Sequence, residues 1–380
     1  MEADAKYDYY PIAPADPSRP QATLMALSTN VMADWMPGIH NALAANFSEL
    51  LGEMLKVEEL DGDDLWIVVP RMTTFEKQWK LVTSWILGVA FCHRIIESLD
   101  YPFWAPVSAF NSRSGTIATP HWTFDYPPTN CVVEKRNKSI LFPDYVVARA
   151  KAGGYSISFA ESKGSKRSLE NLAVAPTDWK NQSQNANFIF DGTRLPITQY
   201  LLIATRVYPF GKRRRTRRIQ VRAWNSSSPD ALVPFIAFRD VLVAHYFGIC
   251  ERVGLHSNAQ LLALRNYSPT GSKERKQVLE VRARLSDGAH QELQREQLGE
   301  STIYIGPGTQ KLKVGDKAIR VGLSEAAMTL VQSLQHRQKR EDQNLVQYFE
   351  RELASTRELV GSDKDIFLRS DGVIGFATKG

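Results

Sequence analysis

The chain is poor in cysteine, has no long apolar run and, outside one short segment, carries no excess of either charge. Its 380 residues include 3 cysteines, Cys92, Cys131 and Cys250, which are widely separated and form no C-x-x-C pair. That excludes a disulfide framework and points to a reducing, cytoplasmic setting. Met1 to Pro20 is acidic and proline-rich, without the basic and apolar regions of a signal peptide. The longest apolar stretch, Leu81 to Cys92, is broken by Thr83, Ser84 and Gly88, so it suits a buried helix and no membrane association is expected. Internal repeats and low-complexity tracts are absent. Gly306-Pro307-Gly308 is followed by no Gly-Lys-Ser/Thr, so any ATPase function, and any sensor, is expected from a partner protein. The seven histidines show no metal-ligand spacing. Homo-oligomerisation stays open.

What is present is ordinary globular composition, 43% hydrophobic and 23% charged, in a chain long enough for two or three domains. Basic residues number 47 against 41 acidic. The excess sits in one run, Lys212, Arg213, Arg214, Arg215, Arg217 and Arg218, without which the two signs balance. A loop this cationic suits the phosphates of a nucleic acid better than a solvated turn needs. Lys163, Lys166 and Arg167 could extend the same surface.

Periodicity divides the chain into four parts. Residues 1–75 form an irregular arm and a helical region, with helical spacing from Ile39 to Leu60 and a short strand at 65–69. Residues 76–255 alternate helices and strands. A helix capped by Thr73 or Thr74 runs to Ser98; strands follow at 141–148 and 155–163, a polar helix at 178–188, strands at 199–205 and 218–223, and an amphipathic helix at 235–253. Residues 256–300 are a densely charged helical connector. Residues 301–380 form a small α+β unit with a long polar helix from Ser324 to Leu359. The class is α/β (α+β), with a mixed central sheet flanked by helices.

The chemistry concentrates in Pro143-Asp144 and, 17 residues after the aspartate, Glu161-Ser162-Lys163. Alternation puts Tyr155, Ile157, Phe159, Glu161 and Lys163 on one face of their strand. A hairpin turning at Ala152 and Gly153 then sets Asp144 opposite Glu161, Val146 opposite Phe159 and Ala148 opposite Ile157. Two adjacent carboxylates repel unless a cation lies between them, and a hard ion such as Mg²⁺ or Mn²⁺ suits oxygen ligands. With Lys163 two residues on, the set fits metal-assisted phosphodiester hydrolysis.

These residues resemble the signature of the PD-(D/E)xK nuclease superfamily, which includes type II restriction enzymes, RecB-like nucleases and many bacterial anti-phage effectors. The resemblance covers roughly residues 76–225, where the order of elements matches a restriction-endonuclease-like α-β-β-β-α-β core. It implies that Asp144, Glu161 and the backbone carbonyl of Ser162 bind the metal, and that Asp144, Glu161 and Lys163 are catalytic. Many members carry a further Glu on the first core helix, for which Glu97 is the match here, with Glu49 and Glu53 as rivals. RecB-like members have Gln and Tyr four apart on the helix after the hairpin. Gln184 has the place of the Gln, contacting nucleic acid, and Phe188 departs from the Tyr. The expected function is cleavage of DNA rather than RNA, in bacterial defence or restriction, with endo- and exonuclease action both open. The rival from another class is a catalytically inactive nuclease-fold subunit that binds nucleic acid or scaffolds a defence complex.

Overall fold

The computed structural model describes residues 7–8, 55–60, 63–68, 77–111, 115–118, 123–126, 130–165, 169, 172–206, 220–227, 231–265, 271–299, 301–307, 312–314, 317–336, 343–360 and 366–379. In chain order the first half contains β1 (Tyr7–Asp8), β2 (Leu55–Leu60), β3 (Asp63–Val68), α1 (Lys77–Ser98), β4 (Phe103–Pro106), α2 (Ser108–Asn111), β5 (Gly115–Ala118), β6 (Thr123–Tyr126) and β7 (Cys131–Glu134). Next come β8 (Tyr145–Lys151), β9 (Gly154–Gly164), α3 (Thr177–Ser183), β10 (Asn187–Phe190), β11 (Thr193–Leu195), β12 (Gln199–Arg206), β13 (Gln220–Ser227) and α4 (Phe235–Arg252). The second half holds α5 (His256–Leu264), α6 (Ser272–Glu292), β14 (Gln294–Leu298), β15 (Ser301–Ile305), β16 (Leu312–Val314), β17 (Lys317–Ser324), α7 (Glu325–Gln335), α8 (Gln343–Val360), β18 (Ile366–Leu368) and β19 (Val373–Lys379).

The protein is mixed α/β, with a central six-stranded sheet in the order β1-β13-β12-β9-β8-β4. All its pairings are antiparallel except β9 with β12. That parallel pair needs a crossover, and α3 lies within it. No helix among the described residues is long and apolar enough to cross a membrane.

Strand β9 explains the layering. Its large residues Ile157 and Phe159 join Val146 and Ala148 of β8 in a cluster under α4, with Phe238, Val241 and Leu242. Its small face lies towards α1: the Ser158 hydroxyl is 2.9 Å from the Tyr101 hydroxyl, which donates to Gln199 Oε1 at 2.7 Å. Serine and alanine on that face let the helix approach closely, so β9 is buried on both sides. The hairpin register is the expected one: Val146 pairs with Phe159, Ala148 with Ile157, and Lys151 with Gly154. Gly153 closes the turn with φ +87°, a conformation costly for any residue with a side chain.

A second sheet, β14-β15-β17-β19-β18, with α7 and α8, makes up the C-terminal unit. Its Leu323, Met328, Leu330 and Phe349 belong to the same apolar cluster as Phe159, so one core crosses the expected borders at 255 and 300. Three elements differ from expectation. Leu55–Leu60 is a strand paired with β3, not the end of a helix; Val57 and Trp66 oppose each other, and cross-strand pairing prevails over helical spacing in a segment this short. The polar helix after Ser324 is two helices, α7 and α8, which pack on each other and both on β15. The helix expected over 178–188 stops at Ser183, and Phe188 lies on β10 with 0% exposure, opposite Val133 and Leu195. Burying that ring between β7 and β11 outweighs extending a helix of amides.

Candidate active site

The site forms where β8 begins and β9 ends. Asp144 immediately precedes β8, and Glu161 follows Ala160, the partner of Tyr145. The antiparallel register therefore brings the two acids face to face, and the backbone locks them. The Asp144 amide donates to Glu161 Oε2 at 3.1 Å, and the Ser162 amide donates to Asp144 Oδ2 at 2.8 Å. The Asp144 carbonyl in turn accepts from the Val107 amide at 2.9 Å, which fixes the start of β8 to the end of β4.

Lys163 comes back to the acids. Its ammonium lies 2.5 Å from Glu161 Oε1 and donates to Gln182 Oε1 at 2.6 Å. Gln182, on the last turn of α3, donates through Nε2 to the Phe142 carbonyl at 2.9 Å. One amide thus holds the lysine with its oxygen and the approach to Pro143-Asp144 with its nitrogen.

Environment separates the two carboxylates. Glu161 is 1% exposed. Burial, reinforced by the negative charge of Asp144, pushes its pKa up to about 8, against the opposing pull of Lys163 and the Asp144 amide. Asp144 stays exposed at the hairpin mouth, but the protein behind it withdraws enough water to raise its carboxyl too. The Ser162 amide, Lys163 and His93 oppose that rise. His93 reaches this region from α1: it is buried, stacks on Trp104 at 5.0 Å between ring centroids and meets Tyr145 edge-on at 4.7 Å.

The other sequence candidates fall elsewhere. Glu97, one helical turn beyond His93, has both oxygens engaged away from the acid pair: Oε1 accepts from the Ser370 amide at 2.7 Å and Oε2 from Arg94 at 2.6 Å. Among the described residues no three His, Cys, Asp or Glu side chains are grouped to hold a metal ion. Gln184 caps α3 with its backbone and is exposed, and Gln182 is the glutamine that meets Lys163. The signal for Gln182 was its place in the amide run 181–185, but its role depends on where α3 ends. Glu49, Glu53, and the run from Lys212 to Arg218 lie outside the described residues. The strands flanking that run, β12 and β13, end at the pair Arg206 and Gln220. Lys163 pairs with Ala204, so the chain enters and leaves the cationic segment from the end of the sheet that carries Lys163.

Comparison with protein-family models, with curated proteins and with solved structures found no match. The donor set is therefore the basis for assigning a function. Two carboxylates joined through each other's strand ends, the Glu161 pKa raised by burial and then by the charge of Asp144, fit a hard divalent cation. Asp144 would offer its carboxylate to such an ion from the exposed mouth of the hairpin.

Proposed function

We propose that this chain is a divalent-metal-dependent nuclease of the PD-(D/E)xK type that hydrolyses phosphodiester bonds in DNA, within a bacterial defence or restriction system. The observation that carries the reading is the cross-strand lock of Asp144 and Glu161 with Lys163 held 2.5 Å from Glu161. Asp144 and Glu161 would hold Mg²⁺ or Mn²⁺ through their carboxylate oxygens, helped, as the family resemblance suggests, by the carbonyl of Ser162. The ion would supply Lewis-acid polarisation of a phosphoryl oxygen. Hydrolysis joins a water oxygen to phosphorus, breaks the bond to the leaving oxygen and transfers one proton from the water side to the leaving side. Lys163, steadied by Gln182, stabilises the negative charge that builds on the phosphoryl oxygens. Asp144, the exposed acid, would face the incoming substrate, and buried Glu161 would be the second carboxylate holding the ion.

Incubating the protein with plasmid and linear DNA in Mg²⁺, Mn²⁺ or EDTA tests this. Cleavage that EDTA stops and that Asp144→Asn abolishes supports the reading, whereas intact DNA at every metal concentration sinks it.

One observation favours the second reading, a nuclease fold that only binds nucleic acid or scaffolds a complex. Both Glu161 oxygens are occupied, Oε1 by Lys163 and Oε2 by the Asp144 amide. A lysine that keeps its place when Mg²⁺ is added would leave the acids plugged. Metal titration followed by calorimetry separates the two readings, since the nuclease takes up the ion and the plugged fold does not.

A further inference from the structure

From the last residue of β7 the chain runs Glu134-Lys135-Arg136-Asn137-Lys138-Ser139-Ile140-Leu141, with three basic residues and one acid, and arrives at Phe142-Pro143-Asp144. A polar surface loop of this kind ordinarily has few restraints. Here the buried Asn185, just past α3, donates its amide hydrogens to the carbonyls of Asn137 and Ile140, each at 2.9 Å, and of Leu141 at 3.2 Å. Its Oδ1 accepts from the Asn137 amide at 2.7 Å. Within the loop the Ser139 amide and hydroxyl both donate to Asn137 Oδ1, at 3.0 and 2.7 Å. Arg136 is anchored by its Nε to the Ala186 carbonyl and Asn187 Oδ1, and by a guanidinium nitrogen to the Tyr200 hydroxyl. Gln182 holds Phe142.

The result is a rigid loop that displays two things. Lys138 is exposed, and Lys135 stands over the Phe142 ring at 5.1 Å, so the loop that leads into Asp144 carries two ammonium groups. Leu141 is 67% exposed, the most exposed large apolar residue among those described. A lone exposed leucine is ordinary on a loop free to tuck it away. On a loop fastened at Asn137, Ile140, Leu141 and Phe142 it stays outward, three residues from the exposed acid. Preorganisation of this kind lowers the cost of ordering on binding.

We infer that Lys135 to Leu141 is a DNA-docking loop, in which Lys135 and Lys138 take backbone phosphates of a duplex and Leu141 presses against a base step beside the acid pair. The inference rests on the nuclease reading for its choice of DNA. The charge complements phosphate, the apolar tip is of the type that unstacks base steps, and the loop leads without a break into the proposed catalytic residues.

The test is binding of a short fluorescein-labelled duplex in EDTA across a salt series, with cleavage by the wild type in Mg²⁺ run alongside. Lys135→Gln with Lys138→Gln should weaken binding about tenfold at moderate salt and flatten the slope of log affinity against log salt by about 1.8, at about 0.9 per phosphate neutralised. In a duplex with 2-aminopurine in place of adenine on one strand, wild-type binding should raise the fluorescence, while Leu141→Ser should bind without that rise. All three positions are exposed or half-exposed, and melting curves matching the wild type verify the fold. An unchanged slope in the double variant, equal 2-aminopurine signals, or no duplex binding by the wild type overturns the inference. So does a loss of self-association in Leu141→Ser with DNA binding unchanged, which would make the loop a contact between copies. If the wild type cuts DNA while the slope is unchanged, the loop inference alone fails. If it binds with the expected slopes but never cuts, the nuclease reading alone fails.

Discussion

Asp144 and Glu161 each hold the other's strand: the Asp144 amide donates to Glu161 Oε2, and the amide next to Glu161, that of Ser162, donates to Asp144 Oδ2. The acids are therefore part of the hairpin's own hydrogen bonding as well as candidate ligands. Adding or removing charge at this pair consequently touches folding and chemistry together.

Glu161 carries a pKa pushed up to about 8 by burial and by Asp144, above the ordinary value of 4.5. A raised carboxylate pKa means that the folded state binds the proton more tightly than the unfolded chain. Stability should therefore fall as pH rises from about 4.5 to about 8 and level off above. Glu161→Gln removes the titration. The variant should melt several degrees above wild type at alkaline pH, with the gap closing towards about pH 5. Thermal melts across that range check it, and a gap that widens on acidification would refute the assignment.

Lys163→Ala should abolish cleavage, but it is not silent for the fold. It strips the buried Glu161 of its ammonium, so the carboxyl should keep its proton to higher pH than in wild type. Stability near neutrality should change little, with a loss appearing only in alkaline melts. Gln182→Ala leaves the lysine in place but unsteadied, and kcat should drop by roughly one order of magnitude. Wild-type kcat in Gln182→Ala would remove Gln182 from the positioning role.

The cationic run should act on binding and leave the chemistry alone. Replacing Arg213, Arg214, Arg215 and Arg217 by Gln should weaken DNA binding and flatten the salt slope by up to about 0.9 for each phosphate that these arginines neutralise. Cleavage at saturating DNA should persist. An unchanged slope would show that these arginines meet no phosphate.

Asp371 anchors the C-terminal unit to the central sheet. It lies at 0% exposure with its Oδ2 2.7 Å from Arg369 Nη2 and 2.9 Å from His245 Nε2, and Arg369 covers the Trp104 ring at 4.4 Å. Burial alone would raise its carboxyl; the Arg369 charge, the His245 contact and the Val373 amide overcome that and hold it below the ordinary range. Its contribution is thus present above the unfolded value near 3.8 and disappears as pH falls through the depressed folded value. Asp371→Asn should cost about 3–5 kcal/mol by taking the carboxylate charge away from the buried Arg369 guanidinium. Chemical denaturation at neutral pH measures it, and a cost below about 1 kcal/mol would mean that the pair is replaceable by an amide.

Much of the site was legible from local pattern. Period-two alternation and a turn at Ala152-Gly153 determine which residues of β8 and β9 oppose each other, because a one-residue slip would turn Ile157 and Phe159 away from α4 and onto the closely packed serine and alanine face. The meeting of Asp144, Glu161 and Lys163 follows from that register. Other features depended on contacts distant in sequence, which no local window contains. Where α3 stops is decided by the burial of Phe188 between β7 and β11, and that choice brings Gln182 rather than Gln184 to Lys163. Glu97 sits on the expected helix, but the Ser370 amide, 273 residues away, claims its carboxylate. The rigidity of Lys135 to Leu141 comes from Asn185, whose side chain finds its partners in the loop only after the helix and the loop have come together. Sequence by itself determined the hairpin and its charges; tertiary packing decided which polar side chains reach them, because hydrogen bonds between distant segments form only where the buried core sets their spacing.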